Sequence, residues 1–327
     1  MLRGGLAESG HIVTAAVVDE QGRLLAWTGD PSRVTYLRSA AKPFQAIPVV
    51  ADGAADAFAF TERELAICCG SHSGEPRQVE TVRTLLERIG CGEDDLECGA
   101  HAPFHEASAD AILKRGGSFS RLHNNCSGKH AGMLAWARHT GHATAGYRSP
   151  DHPMQRRILR EISHWAGMDA RDIATAIDGC GVVTFALPVE RMAAAFATLA
   201  AAADRGPETS AGRVVRAMVG QPYYVAGTDR FCTDLMTVVD GRLLAKEGAE
   251  GVLCLADLQR RWGLALKVED GSRRAVSPAT LELLGEMGVL DRVELGRLDA
   301  HRVVAITNTR GEQVGEIRAS FRLHRSD

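Results

Sequence analysis

No run of about 18 consecutive apolar residues occurs in this chain, so a membrane-spanning helix is not expected. The longest candidate, residues 184–203, is broken by Pro188, Glu190 and Arg191, and its many alanines read as a tightly packed helix. The opening segment, Met1-Leu-Arg-Gly-Gly-Leu-Ala-Glu-Ser-Gly, lacks the apolar core of a secretory signal, which makes the cytoplasm the expected location. Cys-x-x-Cys pairs are missing as well. The eight cysteines, at 68, 69, 91, 98, 126, 180, 232 and 254, therefore signal neither a zinc ribbon nor a thioredoxin-type site. They are expected as free thiols, with Cys68, Cys69, Cys91, Cys98 and Cys254 as apolar fillers. Blocks of like charge are absent, and the formal net charge is only −3, which argues against a nucleic-acid stripe or an acidic tail. Neither an internal repeat nor a low-complexity stretch is present. The expected partner is a small molecule or another copy of the chain.

What is there suffices for a large core. The 327 residues are 45% hydrophobic, enough to fold without disulfide staples. Two β-prone runs, residues 11–18 and 23–27, flank Asp19-Glu-Gln-Gly and predict a hairpin. Residues 303–308 and 314–321 repeat the pattern at the far end, so first and last strands are expected to share one antiparallel sheet. Between them helical signals dominate: from Ser39, with Pro43 tolerable in a first turn; from Pro76 to Gly90; and over 129–138, 154–166, 184–203 and 278–287. Residues 211–219 and 248–258 are shorter helical candidates, and 264–268 reads as a strand. The fold class expected is α+β, residues 1–327 forming one domain. An antiparallel sheet from both termini is packed with helices, and the middle builds a mainly helical lobe.

The first chemical candidate is Ser39-Ala-Ala-Lys42. A serine hydroxyl is a weak nucleophile and needs a base within reach; Lys42, one turn on, shares its face. A lysine is a base only when neutral, and its ordinary pKa of about 10.4 must fall by roughly 3 units. Burial and a second cation near Lys42 would achieve that. By itself the motif is weak, since Ser39 serves equally well as a helix cap.

Four further segments carry chemistry-bearing residues. Cys69-Gly-Ser71-His72-Ser73-Gly-Glu75-Pro crowds polar groups before a helix, where Ser73 or Glu75 would cap it. His123-Asn-Asn-Cys126-Ser-Gly-Lys129-His130 places Cys126, Lys129 and His130 on one face at a helix start. That suits a reactive thiol, a metal ligand or a capped helix with a half-buried cysteine. In Asp178-Gly-Cys180-Gly the glycines allow a sharp turn or close approach to a ligand. Arg230-Phe-Cys232-Thr-Asp precedes Lys246-Glu-Gly-Ala-Glu250-Gly, whose lysine would be a solvated turn charge or the missing second cation.

Taken in order, Arg38-Ser-Ala-Ala-Lys-Pro-Phe-Gln, Cys-Gly-Ser-His-Ser-Gly-Glu, His-Asn-Asn-Cys-Ser-Gly-Lys-His-Ala-Gly-Met, Asp-Gly-Cys-Gly and Lys-Glu-Gly-Ala-Glu-Gly resemble the class 3, rhizobial-type L-asparaginases. The resemblance spans residues 11–325 and implies a fold like that of serine β-lactamases and glutaminases. It implies two Ser-Lys pairs in one pocket, Ser39 with Lys42 and Ser71 with Lys246, and a Ser39 acyl-enzyme that turns L-asparagine into L-aspartate and ammonia. It also implies a zinc ion on Cys126, Lys129 and Cys180, substrate contacts from Arg38, Ser73, His130, Asp178 and Glu250, and a homodimer. Cys232 matches a family cysteine without an assigned role. Three other readings stay open: a cysteine hydrolase using Cys126 and His130, a β-lactam-acylated enzyme, and a non-catalytic amino-acid sensor.

Overall fold

The computed structural model describes residues 1–326. A hairpin of β1 (Val13–Val18) and β2 (Leu24–Thr28) turns through Asp19, whose carboxylate accepts the Gln21 and Arg23 amide N–H groups. Short β3 (Val34–Tyr36) leads into a 3-10 turn, Arg38–Ala41, which runs straight into α1 (Lys42–Ala51). Pro43 sits in the first turn of α1, where its missing N–H has no intrahelical acceptor to lose. Next come α2 (Glu62–Cys68), α3 (Pro76–Arg88), α4 (Ser127–His139) and α5 (Pro153–Ala166). The apolar positions of α3 bury Val79, Val82, Leu85 and Leu86, as their helical spacing predicts. Then follow β4 (Ala174–Ile177), β5 (Val183–Pro188), α6 (Val189–Asp204), α7 (Ser210–Gly220) and α8 (Phe231–Val238). The chain closes through β6 (Leu243–Glu247), β7 (Val252–Asp257), β8 (Trp262–Val268), α9 (Val276–Glu286) and β9 (His324–Arg325).

The central sheet has the order β9-β2-β1-β8-β7-β6, every pair antiparallel, with Val17 opposite Leu264 and Ala15 opposite Leu266. Helix α6 lies across β8 and β1. Its alanines are explained by the distance of approach: a Cβ at Gly263 of β8 would fall 1.8 Å from the Ala193 carbonyl oxygen. Only a residue without a side chain lets the helix backbone rest on the strand. A second sheet, β3-β5-β4, sets the entry to the site. Its edge strand β3 ends just before Arg38, and its other edge strand β4 ends at the residue before Asp178.

The α+β arrangement expected from the sequence is the one found. No helix among the described residues is long and apolar enough to cross a membrane. Three expectations are corrected. The terminal hairpins occupy different sheets: residues 304–307 and 313–317 join the short strands 2–3 and 6–7, whereas the N-terminal hairpin pairs with β8 and, of the strands after α9, only with β9. Residues 252–257, expected within a helix, form β7, because all six are buried and their backbone groups pair on both sides, with β6 and with β8. The expected helix 184–203 is a strand followed by a helix, since Pro188 cannot donate to a continuing helix and its φ suits the junction.

Candidate active site

The site is built where the start of α1, the loop between α2 and α3, and the end of β6 converge. Lys42 and Lys246 are both fully buried there, at 0% and 1% exposure. Lys246 therefore lies on a strand and not on a solvated turn. The Ser71 hydroxyl stands between the two amines, 3.0 Å from Lys42 Nζ and 2.9 Å from Lys246 Nζ. Lys42 also donates to the carbonyls of Gly70 and Asn125, and Lys246 to that of Glu247 at 2.7 Å. Gly70 has to be glycine, since a Cβ there would lie 2.5 Å from the Tyr224 carbonyl oxygen. The Ser71 amide N–H bonds Val225 O at 2.8 Å, which fixes the hydroxyl in register. Neither lysine has a carboxylate partner among the described residues. Burial, and then repulsion from Lys42, push the Lys246 pKa down to about 7; Lys42 is lowered too, chiefly by burial.

Ser39 and Ser71 line one cavity of about 260 Å³, together with Asn125, Arg230, Glu250 and Arg273. Among the described residues the Ser39 hydroxyl has no hydrogen-bond partner. The Lys42 amine turns away from it toward Ser71 and two carbonyls, because three acceptors there satisfy an ammonium that burial has stripped of water. Ser39 is only half-buried, at the cavity surface. The residue before it, Arg38, is held at φ +50° by its ion pair with Asp178 at 2.6 Å. A left-handed backbone at a side-chain-bearing residue costs on the order of 1 kcal/mol, and such strain gathers at functional sites. A larger cavity of about 610 Å³ lies between the terminal strands and α9, but its one histidine, His11, is engaged by Asp270 and Arg274 rather than by a lining hydroxyl.

Beside the lysines, Cys126, Lys129 and Cys180 form a second buried cluster. Lys129 Nζ is 2.9 Å from Cys180 Sγ. A hydrogen bond from the Cys126 thiol is the main cause that lowers the Cys180 pKa to about 5, with Lys129 adding to it; the Cys126 thiol is correspondingly raised to about 12. Burial opposes the charge on Lys129, but the sulfurs and Asp178 outweigh it and hold its pKa above the usual lysine value. Among the described residues no three His, Cys, Asp or Glu side chains converge as a metal site. A cation here would take two sulfurs and an amine. That donor set is buried, the Lys129 amine lies on Cys180, and the two sulfurs are soft, which suits zinc, although lysine is an uncommon ligand.

The remaining expected contacts divide. Glu250 lines the cavity, in a left-handed conformation at φ +59°. Ser73 donates to Ala226 O and accepts from Arg230. His72 accepts the Gly74 N–H at Nδ1, so Nε2 carries its proton to Ser127 Oγ at 2.8 Å; burial lowers its pKa to about 3. It is a structural imidazole. Tyr147 accepts the Glu97 N–H and donates to His130 Nδ1, which leaves His130 Nε2 as a buried donor without a partner. Glu75 caps α3 and receives the Thr228 N–H and hydroxyl. Cys232 is buried. The cavity residues Arg230, Glu247, Arg273 and Phe104 had no assigned role in the sequence. Only the position of Glu247 next to Lys246, and of Arg230 at the head of a quoted segment, hinted at the first two.

None of the curated proteins compared with the chain matches it. Among solved structures it is similar to Mglu in its native form, at 15% identity, with 90% of this chain and 69% of that chain covered and a TM-score of 0.49. It is also similar to a β-lactamase from Mycobacterium bovis, at 18% identity, with 83% and 94% covered and a TM-score of 0.41. The family model for L-asparaginase II matches residues 1–319, a span that takes in both lysines, both serines and the thiol cluster. The chain belongs to the L-asparaginase II family and is an amidohydrolase.

Proposed function

We propose that the chain hydrolyses L-asparagine to L-aspartate and ammonia through an ester on Ser39. The observation that carries this reading is the Ser71 hydroxyl within 3.0 Å of two buried amines, on the floor of the cavity that Ser39 lines. Ser71 has an amine on either side, an arrangement suited to passing protons. Ser39 is the hydroxyl left without a partner at the cavity surface, where a substrate carbon can reach it.

With one proton between the two amines, the hydrogen bonds favour Lys42 as the ammonium, since it faces three acceptors, and Lys246 as the neutral amine. Transfer along Ser71, which takes a proton from Lys42 and gives its own to Lys246, leaves Lys42 neutral. Without the charge that held it to three acceptors, the neutral Lys42 amine then turns toward Ser39 and accepts its proton as Oγ attacks the side-chain amide carbon. The tetrahedral intermediate collapses when the proton held by the Lys-Ser-Lys set reaches the amide nitrogen. The C–N bond breaks and ammonia leaves. Water attacks the resulting ester with the same set as base, releasing L-aspartate and restoring Ser39. Protein N–H donors around Ser39 would stabilise the oxyanion.

Zinc, held by Cys126, Lys129 and Cys180, would neutralise the sulfurs and tie the start of α4 to the Asp178-Cys180 turn. Those residues also hold the two ends of the site together: Asn125 precedes Cys126, and Asp178 anchors Arg38. Chain purified without chelator should carry about one zinc per molecule, lost in Cys180→Ser with a fall in melting temperature. Metal-free wild-type protein that takes up no added zinc would remove the ion from this account.

The decisive test is ammonia release from L-asparagine and L-glutamine, with a rapidly quenched reaction digested for mass spectrometry. An aspartyl ester is expected on the peptide containing Ser39. An ester on Ser71 would exchange the two serines' roles, and one on Cys126 would favour a cysteine hydrolase.

A further inference from the structure

The cavity has one wall that the chemistry above does not use. Arg230 and Arg273, from segments 43 residues apart, grip the same carboxylate: Arg230 Nη2 is 3.0 Å from Glu247 Oε2, and Arg273 Nε and Nη2 are 2.8 and 3.0 Å from its two oxygens. Burial alone would raise the Glu247 pKa, but the two guanidinium groups outweigh it and hold the carboxyl ionised. Two permanent cations sharing one anion leave one positive charge on the wall. Donors are left over as well. Arg230 Nε is buried without a partner, and Arg273 Nη1 has none among the described residues. Arg230 is further fixed by Ser73 at 3.2 Å and by the Phe104 ring beneath its guanidinium. The wall is rigid, cationic and under-satisfied, and it faces the same cavity as Ser39 and Ser71.

We infer that Arg273, braced by Glu247 and Arg230, is the receptor for the substrate's α-carboxylate and so restricts the site to amides of free α-amino acids; the inference rests on the asparaginase reading above. A planar guanidinium with spare N–H groups recognises a carboxylate through charge-assisted hydrogen bonds. Opposite charge is provided in the same cavity. Glu250 is one of its lining residues, its carboxylate without an ion-pair partner among the described residues, on a backbone at φ +59° that glycine would adopt without strain. A zwitterion fits between the two: carboxylate to Arg273, ammonium to Glu250. The spacing to the reacting amide follows from one strand. Lys246 sits beside Ser71, and the next residue, Glu247, anchors the receptor. A substrate held at Arg273 is thereby registered against the proton-transfer set. Asparagine within a peptide, whose α-carboxyl is tied up as an amide, would leave the receptor unpaired.

The test compares L-asparagine with 3-aminopropanamide, the same molecule without its α-carboxylate, on wild-type protein, Arg273→Gln and Arg273→Lys. Wild type should prefer L-asparagine by at least about 100-fold in kcat/KM. Arg273→Gln should lose roughly 10- to 100-fold on L-asparagine, chiefly through KM, and less than about 3-fold on 3-aminopropanamide, with Arg273→Lys in between. The Arg273 side chain is 57% exposed, so its melting temperature should not move. Equal losses on both substrates, or no loss on either, overturn the receptor. If wild type releases no ammonia from either compound, the asparaginase reading falls and the receptor is judged by calorimetry with L-aspartate. About tenfold weaker binding to Arg273→Gln than to wild type supports it, whereas equal binding, or none to wild type, overturns it.

Discussion

Replacing Ser39 with alanine should lower ammonia release from L-asparagine by at least about a thousandfold while leaving substrate affinity within a few-fold. The hydroxyl makes no hydrogen bond to the described residues, so its removal disturbs neither packing nor the lysines. What is lost is the atom that forms the ester. Ser71→Ala is a different lesion. It removes the bridge between Lys42 and Lys246, leaving both buried amines short of a partner. Its loss should also be large, about a hundredfold or more, but with a changed pH dependence, because proton transfer between the amines is interrupted. Rates and ammonia yields for the two variants, measured over pH 5–9, separate nucleophile from relay. A Ser39→Ala enzyme that keeps more than about a tenth of wild-type activity would sink the assignment.

Lys246→Met should abolish activity by a similar factor and yet raise the melting temperature. The amine is buried with no ion-pair partner among the described residues, and burial and then repulsion from Lys42 bring its pKa from the ordinary lysine value down to about 7. A group whose pKa is lower in the folded chain binds fewer protons there than in the unfolded chain between those two values, so stability contributed by this site rises with pH across that window. Below about pH 7 the folded site must hold the charge, and the penalty is at its full size. The thioether has no such penalty and fills a similar volume. Its gain in melting temperature should be greatest and constant at pH 7 and below, and should shrink as pH climbs toward 10. The wild-type rate should fall as pH drops through about 7, where the pair becomes doubly protonated. A variant less stable than wild type at every pH would show that the Lys246 hydrogen bonds outweigh its burial.

Part of this was legible from the residues alone. The requirement for a second cation near Lys42 came from the pKa of lysine, and the amine of Lys246 stands at that place, across the Ser71 hydroxyl from Lys42. The early helices were readable because Pro43 and Pro76 mark first turns. What could not be read depended on partners distant in sequence. Residues 252–257 show no period that separates a doubly buried strand from a buried helix, and only pairing with β6 and β8 decides it. The direction of the Lys42 amine likewise could not be deduced from Ser39-x-x-Lys42. It is set by Gly70, Ser71 and Asn125, whose carbonyls and hydroxyl converge through tertiary contacts. Arg273 carries no local signal at all. Its role emerges only when Glu247 brings it to the cavity.

The sheet order has a consequence for the chain while it is being made. β1 lies between β2 and β8, so one whole edge of the N-terminal hairpin waits for residues 262–268. Throughout the synthesis of more than two hundred intervening residues, that edge of valines and alanines is open to any other extended strand, including one from a neighbouring ribosome. Nascent chains of this protein thus depend on being shielded until β8 emerges, and a message truncated before Trp262 yields a product prone to aggregate. The placement that makes the sheet's centre secure once complete is also what leaves it open until late in synthesis.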